Sequence, residues 1–284
     1  INHTDANGTV AVGKSALGAN TSGTANVAVG YEALKANIGG GYNTAVGYHA
    51  LLVNTTGNNN TALGYATLGG SQNVGDANTA VGSNALTNFN PDTDDHGHNT
   101  GLGYESGASL TTGTENTYVG SGAGYRNQTG DNNTYIGYRA GLGNSGDSHT
   151  QNVAVGSRAL EAITTGGNNI AIGYQALDAQ TTGAENIAIG YSALGAADAG
   201  EGGNVVIGNE AGNAINNSSA DYNVILGISA GTGGDAAMAE CVVIGKAAMN
   251  STGGNAQTGT VAIGSNALTS LTSGARNTAV GYDA

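Results

Sequence analysis

Short hydrophobic runs recur along the chain between polar segments, and each hydrophobic run ends at a glycine. Aligned on the Gly that follows Val, Ile or Leu, the pattern occurs sixteen times in 284 residues. Eight of the fifteen spacings are 17 residues, and the others are 18, 19 or, once, 21. The anchor glycines stand at 13, 30, 47, 64, 82, 103, 120, 137, 156, 173, 190, 208, 227, 245, 264 and 281. A short repeat that fills the chain is typical of a stacked repeat architecture.

The three residues before each anchor glycine have the composition of a β-strand. With the anchor Gly as position 0, position −1 is always Val, Ile or Leu, and position −3 is always Thr, Val or Ile. β-branched residues favour strands, and a unit of this length is too short for a helical crossover. The sequence therefore predicts an all-β parallel β-solenoid, or β-roll, over residues 1–284 as one continuous domain. Coils about 4.8 Å apart would form a rod on the order of 75 Å long.

Two further rows recur within the repeat. Position −7 is Gly in nine copies, which predicts a tight turn that needs a positive φ. Position −4 is Asn in thirteen copies, which predicts either a hydrogen-bonded ladder between coils or a cap on the preceding turn. Cys241, the single cysteine, stands in this row and is interpreted as a small buried substitute.

The strand is apolar on both faces. Because side chains alternate between the faces of a strand, position −2 lies on the face opposite to positions −1 and −3. That face is also apolar, since position −2 is Ala in ten copies. We expect positions −1 and −3 to fill the coil and position −2 to face outward. Burial on both sides then requires a partner for the outer face.

Positions −2 and +4 covary among the copies. Position +4 is Leu in nine copies, all with Ala at −2, whereas four of the five copies with Gly at +4 have a large −2 residue. Such compensation is typical of two side chains that share one space. Because −2 is assigned to the outer face, the prediction places that space between subunits. The predicted interface residues are Ala45, Leu51, Ala171, Leu177, Tyr118, Gly124, Tyr135 and Gly141.

The strand motif "NxAIG", with a small residue at −2, resembles the head repeats of trimeric autotransporter adhesins (YadA-like), and the resemblance spans all sixteen coils. It is also similar to the shaft repeats of phage tail fibres. The resemblance implies a left-handed parallel β-roll and a homotrimer around a common axis. The residue pattern alone leaves a dimer or a bundled filament open as well.

Charge and composition exclude several classes of partner. The net charge is −13, and the seven Lys and Arg residues are not clustered, which argues against nucleic acid and anionic membranes. No apolar run approaches the roughly 20 residues of a membrane-spanning helix. Neither a Ser-His-Asp set nor a pair of carboxylates recurs, so we expect no enzyme activity. Glycine-rich stretches such as 120–124 lack the following helix of a nucleotide site, so we expect no cofactor.

The longest insertion, residues 88–99, is interpreted as a solvated surface loop. A divalent metal site is the alternative, because His-x-His beside carboxylates has the ligand types that such a site uses. Its candidate ligands are Asp92, Asp94, Asp95, His96 and His98.

Tyrosine occupies position +1 in eight copies, at 31, 48, 65, 104, 138, 174, 191 and 282. Such a row predicts packing between neighbouring coils. Stacking on sugars or contact with a receptor is the alternative.

The pattern favours a structural fibre segment outside a cell or on a virion, with surface contacts to a cell-surface or glycan receptor. An alternative is a subunit that stacks end to end as a filament, because the repeat starts and stops without a visible cap. Ice binding is a third hypothesis. The placement of the −3 threonines on the face assigned to the coil interior argues against it.

Overall fold

A computed structural model describes residues 8–70, 75–91, 97–144, 146–197, 200–233, 238–251, 256–272 and 274–284. The chain divides into two compact units. The first contains residues 1–139 and 145–148, and the second contains residues 140–144 and 149–284. That they form one continuous domain stays a prediction.

The three-residue strands lie where the sequence predicts them, each directly before an anchor glycine. The first unit contains β1 Val10–Val12, β2 Val27–Val29, β3 Thr44–Val46, β4 Thr61–Leu63, β5 Thr79–Val81, β6 Thr100–Leu102, β7 Thr117–Val119 and β8 Thr134–Ile136. The second contains β9 Val153–Val155, β10 Ile170–Ile172, β11 Ile187–Ile189, β12 Val205–Ile207, β13 Val224–Leu226, β14 Met238–Ala239, β15 Val242–Ile244, β16 Gln257–Thr258, β17 Val261–Ile263 and β18 Thr278–Val280.

Equivalent positions of successive coils stack on one another. In the first unit Ala45 pairs in parallel with the −2 residues of both neighbouring coils, and in the second Ala171 does the same. The short strands β14 and β16, from the −7 and −6 positions, form a separate parallel pair. No helix occurs among the residues that the structure describes. The predicted all-β parallel β-solenoid is therefore confirmed.

The two strand faces are the reverse of the prediction. In every three-residue strand from β2 to β17 the central residue, position −2, is buried, while the residues on either side are partly or largely exposed. Side chains at −2 share this interior with the residues at +3 and +4. Position +3 is Ala in fourteen of sixteen copies, and that row is buried from Ala33 to Ala267. Since the side-chain period of a strand is two, a one-residue error in assignment exchanges the faces of the whole sheet.

Left-handed residues turn each coil. In the third coil His49 at +2 has φ 57° and Leu51 at +4 has φ 49°, and Tyr42 at −5 has φ 59°. A leucine in this region is uncommon. It is retained because the conformation directs the side chain of Leu51 into the interior, where it is fully buried.

The anchor and −7 glycines are required for different reasons. The anchor Gly47 has φ 140°, and a Cβ there would come within 3.0 Å of the carbonyl of Gly64 in the next coil. Among the nine −7 glycines only Gly75 and Gly274 have a positive φ, so the predicted conformational reason is wrong for the others. Gly40 shows the actual cause, since a Cβ there would collide with the Gly57 carbonyl of the next coil. Close stacking of the backbone excludes a side chain at this position.

Candidate functional site

The residues predicted for an intersubunit interface lie inside the coil. Six of them are completely buried within the single chain: Ala45, Leu51, Ala171, Leu177, Tyr118 and Tyr135. Gly124 and Gly141 are also buried. The predicted interface at these positions is therefore wrong, because position −2 faces the coil interior.

The size compensation itself is real and acts within one chain. A Cβ on Gly124 would collide with the ring of Tyr118 in the same coil. A Cβ on Gly107, in the preceding coil, would collide with the other edge of the same ring. This second contact explains the copy in which both positions are small. Gly107 makes room for the −2 residue of the next coil rather than for Gly101 of its own.

The two buried tyrosines are held by hydrogen bonds. The rings of Tyr118 and Tyr135 stack at 5.6 Å between centroids. The Tyr118 hydroxyl accepts a hydrogen bond from Asn127 Nδ2 at 2.9 Å, and the Tyr135 hydroxyl donates to Asn133 Oδ1 at 3.0 Å. Burial raises the pKa of Tyr118 above its usual value, so this phenol packs as a neutral group.

The outward strand face, defined as positions −1 and −3 of the coils, is a largely apolar surface that the repeat creates. None of its residues is buried in either unit. Leu63 and Ile172, both at −1, are 47% and 37% exposed. Every residue of the face is Thr, Val, Ile or Leu, so the face has no charge. Exposed and contiguous apolar surfaces of this kind mark sites of interaction.

The outward strand face has a different chemistry in the two units. In the first, position −3 is Val in β1 and β2 and Thr in the six strands β3 to β8. In the second it is Val or Ile in the seven strands β9 to β13, β15 and β17 and Thr in β18. The hydroxyls of the six threonines have no hydrogen-bond partner among the described residues, in contrast to the turn residues Thr111 and Thr164, which donate to carbonyls of the next coil. The face of the first unit thus offers a row of free hydroxyls beside an aliphatic row.

A row of exposed tyrosines follows the outward strand face at position +1. Tyr31, Tyr48 and Tyr65 stack at 5.2 Å and 5.4 Å between centroids, with interplanar angles of 9° and 6°. Tyr174 and Tyr191 stack at 5.5 Å. The predicted packing between coils is confirmed for these neighbours. Their ring faces are turned toward one another, so the ring edges are what the stacked tyrosines offer to a ligand.

A small ionic cluster lies beside the first tyrosines. Lys35 Nζ contacts Glu32 Oε1 at 2.9 Å, and His49 Nε2 lies 3.4 Å from Glu32 Oε2. The hydrogen bond from Lys35 lowers the pKa of Glu32. Glu32 and Lys35 also line an open groove of about 580 Å³ between the first turns. Because the two charges pair with each other, they offer a ligand little net charge.

The asparagines at −4 form a ladder inside the coil, as one of the two sequence interpretations predicted. Asn116 Oδ1 accepts the backbone N–H of Asn133 at 3.0 Å, and its Nδ2 donates to the carbonyl of Gly130 at 2.9 Å. Cys241 continues the row. Its N–H donates to Asn223 Oδ1 at 3.0 Å, and its thiol lies 3.3 Å from the carbonyl of Gln257. Burial raises the pKa of this thiol, so Cys241 is the small buried substitute that the sequence predicted.

A second ladder was missed by the sequence reasoning. Asn37 Nδ2 donates to Asn20 Oδ1 at 2.8 Å, and Asn54 Nδ2 donates to Asn37 Oδ1 at 3.1 Å. All three occupy position +7, a constant distance from the anchor that would have identified the row. Other coils place Phe89 or Ile163 at the same buried position.

The metal hypothesis for the 88–99 loop falls largely outside the described residues. Asp92, Asp94, Asp95 and His96 are not described, and His98 is exposed with φ 60°. Within the described part of the chain, no group of three or more His, Cys, Asp or Glu residues is placed to hold a metal ion. The metal site stays an untested alternative to the predicted surface loop.

The described residues include no helix with the length and apolarity needed to cross a membrane. Comparison of the chain with family models, with curated proteins and with solved structures finds no match. The resemblance to adhesin and tail-fibre repeats therefore rests on the motif alone.

Proposed function

We propose that the protein is a non-enzymatic structural fibre segment whose copies associate through the outward strand face. The observation that carries the proposal is that face itself: it has no charge, its −1 row is aliphatic, and none of its described residues is buried. The motif resemblance favours a homotrimer over a dimer or a bundle. The long stack of coils is consistent with a fibre-like role.

A second copy of the chain is the occupant that fits this face. Its rows repeat once per coil, at the strand spacing of about 4.8 Å, and an identical chain has the same period and composition. The net charge of −13 makes identical chains repel. A face without charge is therefore the place where copies can approach, and aliphatic burial there supplies the driving force.

The proposal extends to location and binding. We place the fibre outside a cell, on a cell surface or on a virion, where the exposed edges of the tyrosines and the surface loops contact a cell-surface or glycan receptor. Many equivalent weak contacts along a repeat would act together.

The experiment adds charge to the outward strand face. Ile172→Lys with Ile189→Lys should convert the wild-type oligomer to a monomer in sedimentation, with an unchanged circular dichroism spectrum. The matched control is Tyr174→Lys with Tyr191→Lys in the same coils, at a position that already holds Lys14 and Lys246 in other coils. A monomeric wild-type chain, or equal dissociation of the control, would contradict the proposal.

Ice binding is a second candidate, favoured by one observation. The six −3 threonines of the first unit face outward with unpaired hydroxyls, so the geometric objection raised from the sequence is wrong. Ordered hydroxyls at strand spacing can hold ordered water. Thermal hysteresis that is lost in Thr100→Lys would support it, and no hysteresis in the wild-type chain would remove it. End-to-end filament formation stays a prediction, which rods of one uniform length in electron micrographs would contradict.

A further inference from the structure

The outward strand face changes composition between the two units, and this difference has a consequence for how copies pair. Resting on the proposed self-association, we propose that pairing is homotypic. The threonine face of the first unit packs on the threonine face of another copy, and the aliphatic face of the second unit packs on its own counterpart.

Like pairs satisfy the groups that they bury. Two aliphatic faces remove apolar surface from water without any polar cost. Two threonine faces place hydroxyl beside hydroxyl, and each hydroxyl both donates and accepts, directly or through a shared water. The partner row thereby supplies what the six hydroxyls lack within their own chain.

Unlike pairs leave polar groups unsatisfied. Against the Val and Ile rows of the second unit, the hydroxyls of Thr100, Thr117 and the other threonines lose water and gain no partner. A buried hydroxyl without a hydrogen bond is unfavourable, and the effect is repeated over successive coils. The threonine row thus acts as polar residues do in other apolar interfaces, where they select one alignment of the chains.

Charge cannot make this selection. Neither −1 nor −3 carries an ionisable residue in any coil, so the hydroxyl row is the polar feature that distinguishes one face from the other. The exceptions lie at the outer strands: Val10 in β1 and Val27 in β2 of the first unit, and Thr278 in β18 of the second.

Single cysteines on the two faces test the proposal in the full chain. Thr100→Cys and Ile187→Cys both lie at −3, one in each unit, and the native Cys241 is buried and serves as the unreactive background. With a short bismaleimide reagent, each variant alone should give covalent oligomers. When the two variants carry different tags and are mixed, homotypic links should exceed Thr100→Cys to Ile187→Cys links by roughly tenfold or more, since one unpaired hydroxyl already suffices for that ratio.

Replacing the hydroxyls should remove the discrimination. Thr100 is the label site, so the companion changes are Thr79→Val, Thr117→Val and Thr134→Val, which keep the side-chain shape and should raise heterotypic links severalfold. The Ser variants at the same three positions keep the hydroxyl and should preserve the preference.

The outcomes separate this inference from the proposed function. If the chain forms oligomers in which heterotypic links equal or exceed homotypic links, or in which neither site is linked, homotypic pairing is overturned and the proposed function is not. A chain that sediments as a monomer overturns the proposed function.

Discussion

At the scale of single residues, the buried asparagine row determines how tightly coils join. Asn116 makes three types of contact: it accepts from the Asn133 N–H, and it donates to the Gly130 carbonyl and to Asn99 Oδ1 at 3.1 Å. Each group is buried, so removing the side chain leaves donors and acceptors that water cannot reach. Unsatisfied buried groups cost more than the mean value of a hydrogen bond.

Asn116→Ala should therefore lower the free energy of unfolding by roughly 3 kcal/mol, measured by urea denaturation. The control is Asn132→Ala, an exposed residue at −5, where other coils hold Ala25 and Ala77 with the same left-handed φ. The control should change stability by less than about 0.5 kcal/mol. Equal losses in the two variants would show that the ladder contributes nothing specific.

A buried histidine makes stability depend on pH. Burial lowers the pKa of His149 to about 4 from its ordinary 6.5. The unfolded chain then binds a proton in a pH range where the folded chain does not. The contribution of neutral His149 to the free energy of unfolding is complete above pH 6.5. It is lost as the pH falls toward 4, by at most roughly 3 kcal/mol.

His149→Met removes that dependence without opening the coil, because Met238 occupies the equivalent −7 position in another coil and is buried. The difference in the free energy of unfolding between wild type and variant should decrease as the pH falls from 6.5 to 4, and it should be constant above pH 6.5. A difference that is flat throughout would contradict the assignment, since the carboxylates common to both chains cancel.

At the scale of the coil, two side chains from neighbouring coils share one interior volume. Tyr118 fits because Gly124 in its own coil and Gly107 in the preceding coil are both small. The coils around Ala171 instead have leucine at both of these +4 positions, Leu177 in its own coil and Leu160 in the preceding one, and all three residues are fully buried. The equivalent volume is therefore full.

Ala171→Tyr should destabilise the chain by about 3 kcal/mol through overpacking, measured by thermal or urea unfolding. Adding Leu177→Gly should recover part of the loss, and adding Leu160→Gly should recover more, because the ring meets both +4 positions. Leu86→Gly, in the first unit, is the distant control and should not rescue. Strictly additive effects of the substitutions would show that the positions do not share a space.

The strands could be located from the sequence, but their orientation could not. The β-branched residues at −3 and −1 mark the strand, and the anchor glycine marks its end. Both alternating rows are apolar, so period two shows which residues share a face and leaves open which face is inside. The size compensation between positions −2 and +4 correctly predicts that their side chains share one volume. It was misplaced because that volume was assigned to the space between chains.

The interior of the coil has a signal in the sequence, whereas two other features of the fold have none. Position +3 is Ala in fourteen of sixteen copies and Thr or Ser in the other two, a row of small residues that indicates the interior. The left-handed conformation of Leu51 and its equivalents had no signal, because propensity places leucine elsewhere. The role of the −7 glycines depends on the distance between backbones of adjacent coils, which exists only in the folded chain.

At the scale of the whole molecule, each coil contacts its immediate neighbours in sequence, and stability should propagate the same way. Within each unit every long strand pairs with the strands of adjacent coils and with no other. In such repeat architectures the free energy is close to a sum of single-repeat and nearest-neighbour contributions. A local defect should therefore open the coils around it and leave distant ones closed.

Gly173→Ala tests this behaviour. Its φ is 135°, and the added Cβ would collide with the carbonyl of Gly190 in the next coil, so the pairing of β10 with β11 is disrupted. Hydrogen exchange should accelerate roughly a hundredfold or more in β10 and β11 and by less than about threefold in β2 to β4 of the first unit. The control Gly39→Ala adds a Cβ whose nearest neighbour is 3.5 Å away and should leave the exchange of both units unchanged. Uniform acceleration in both units would mean that the chain unfolds as one cooperative body, and nearest-neighbour stacking would then not account for its stability.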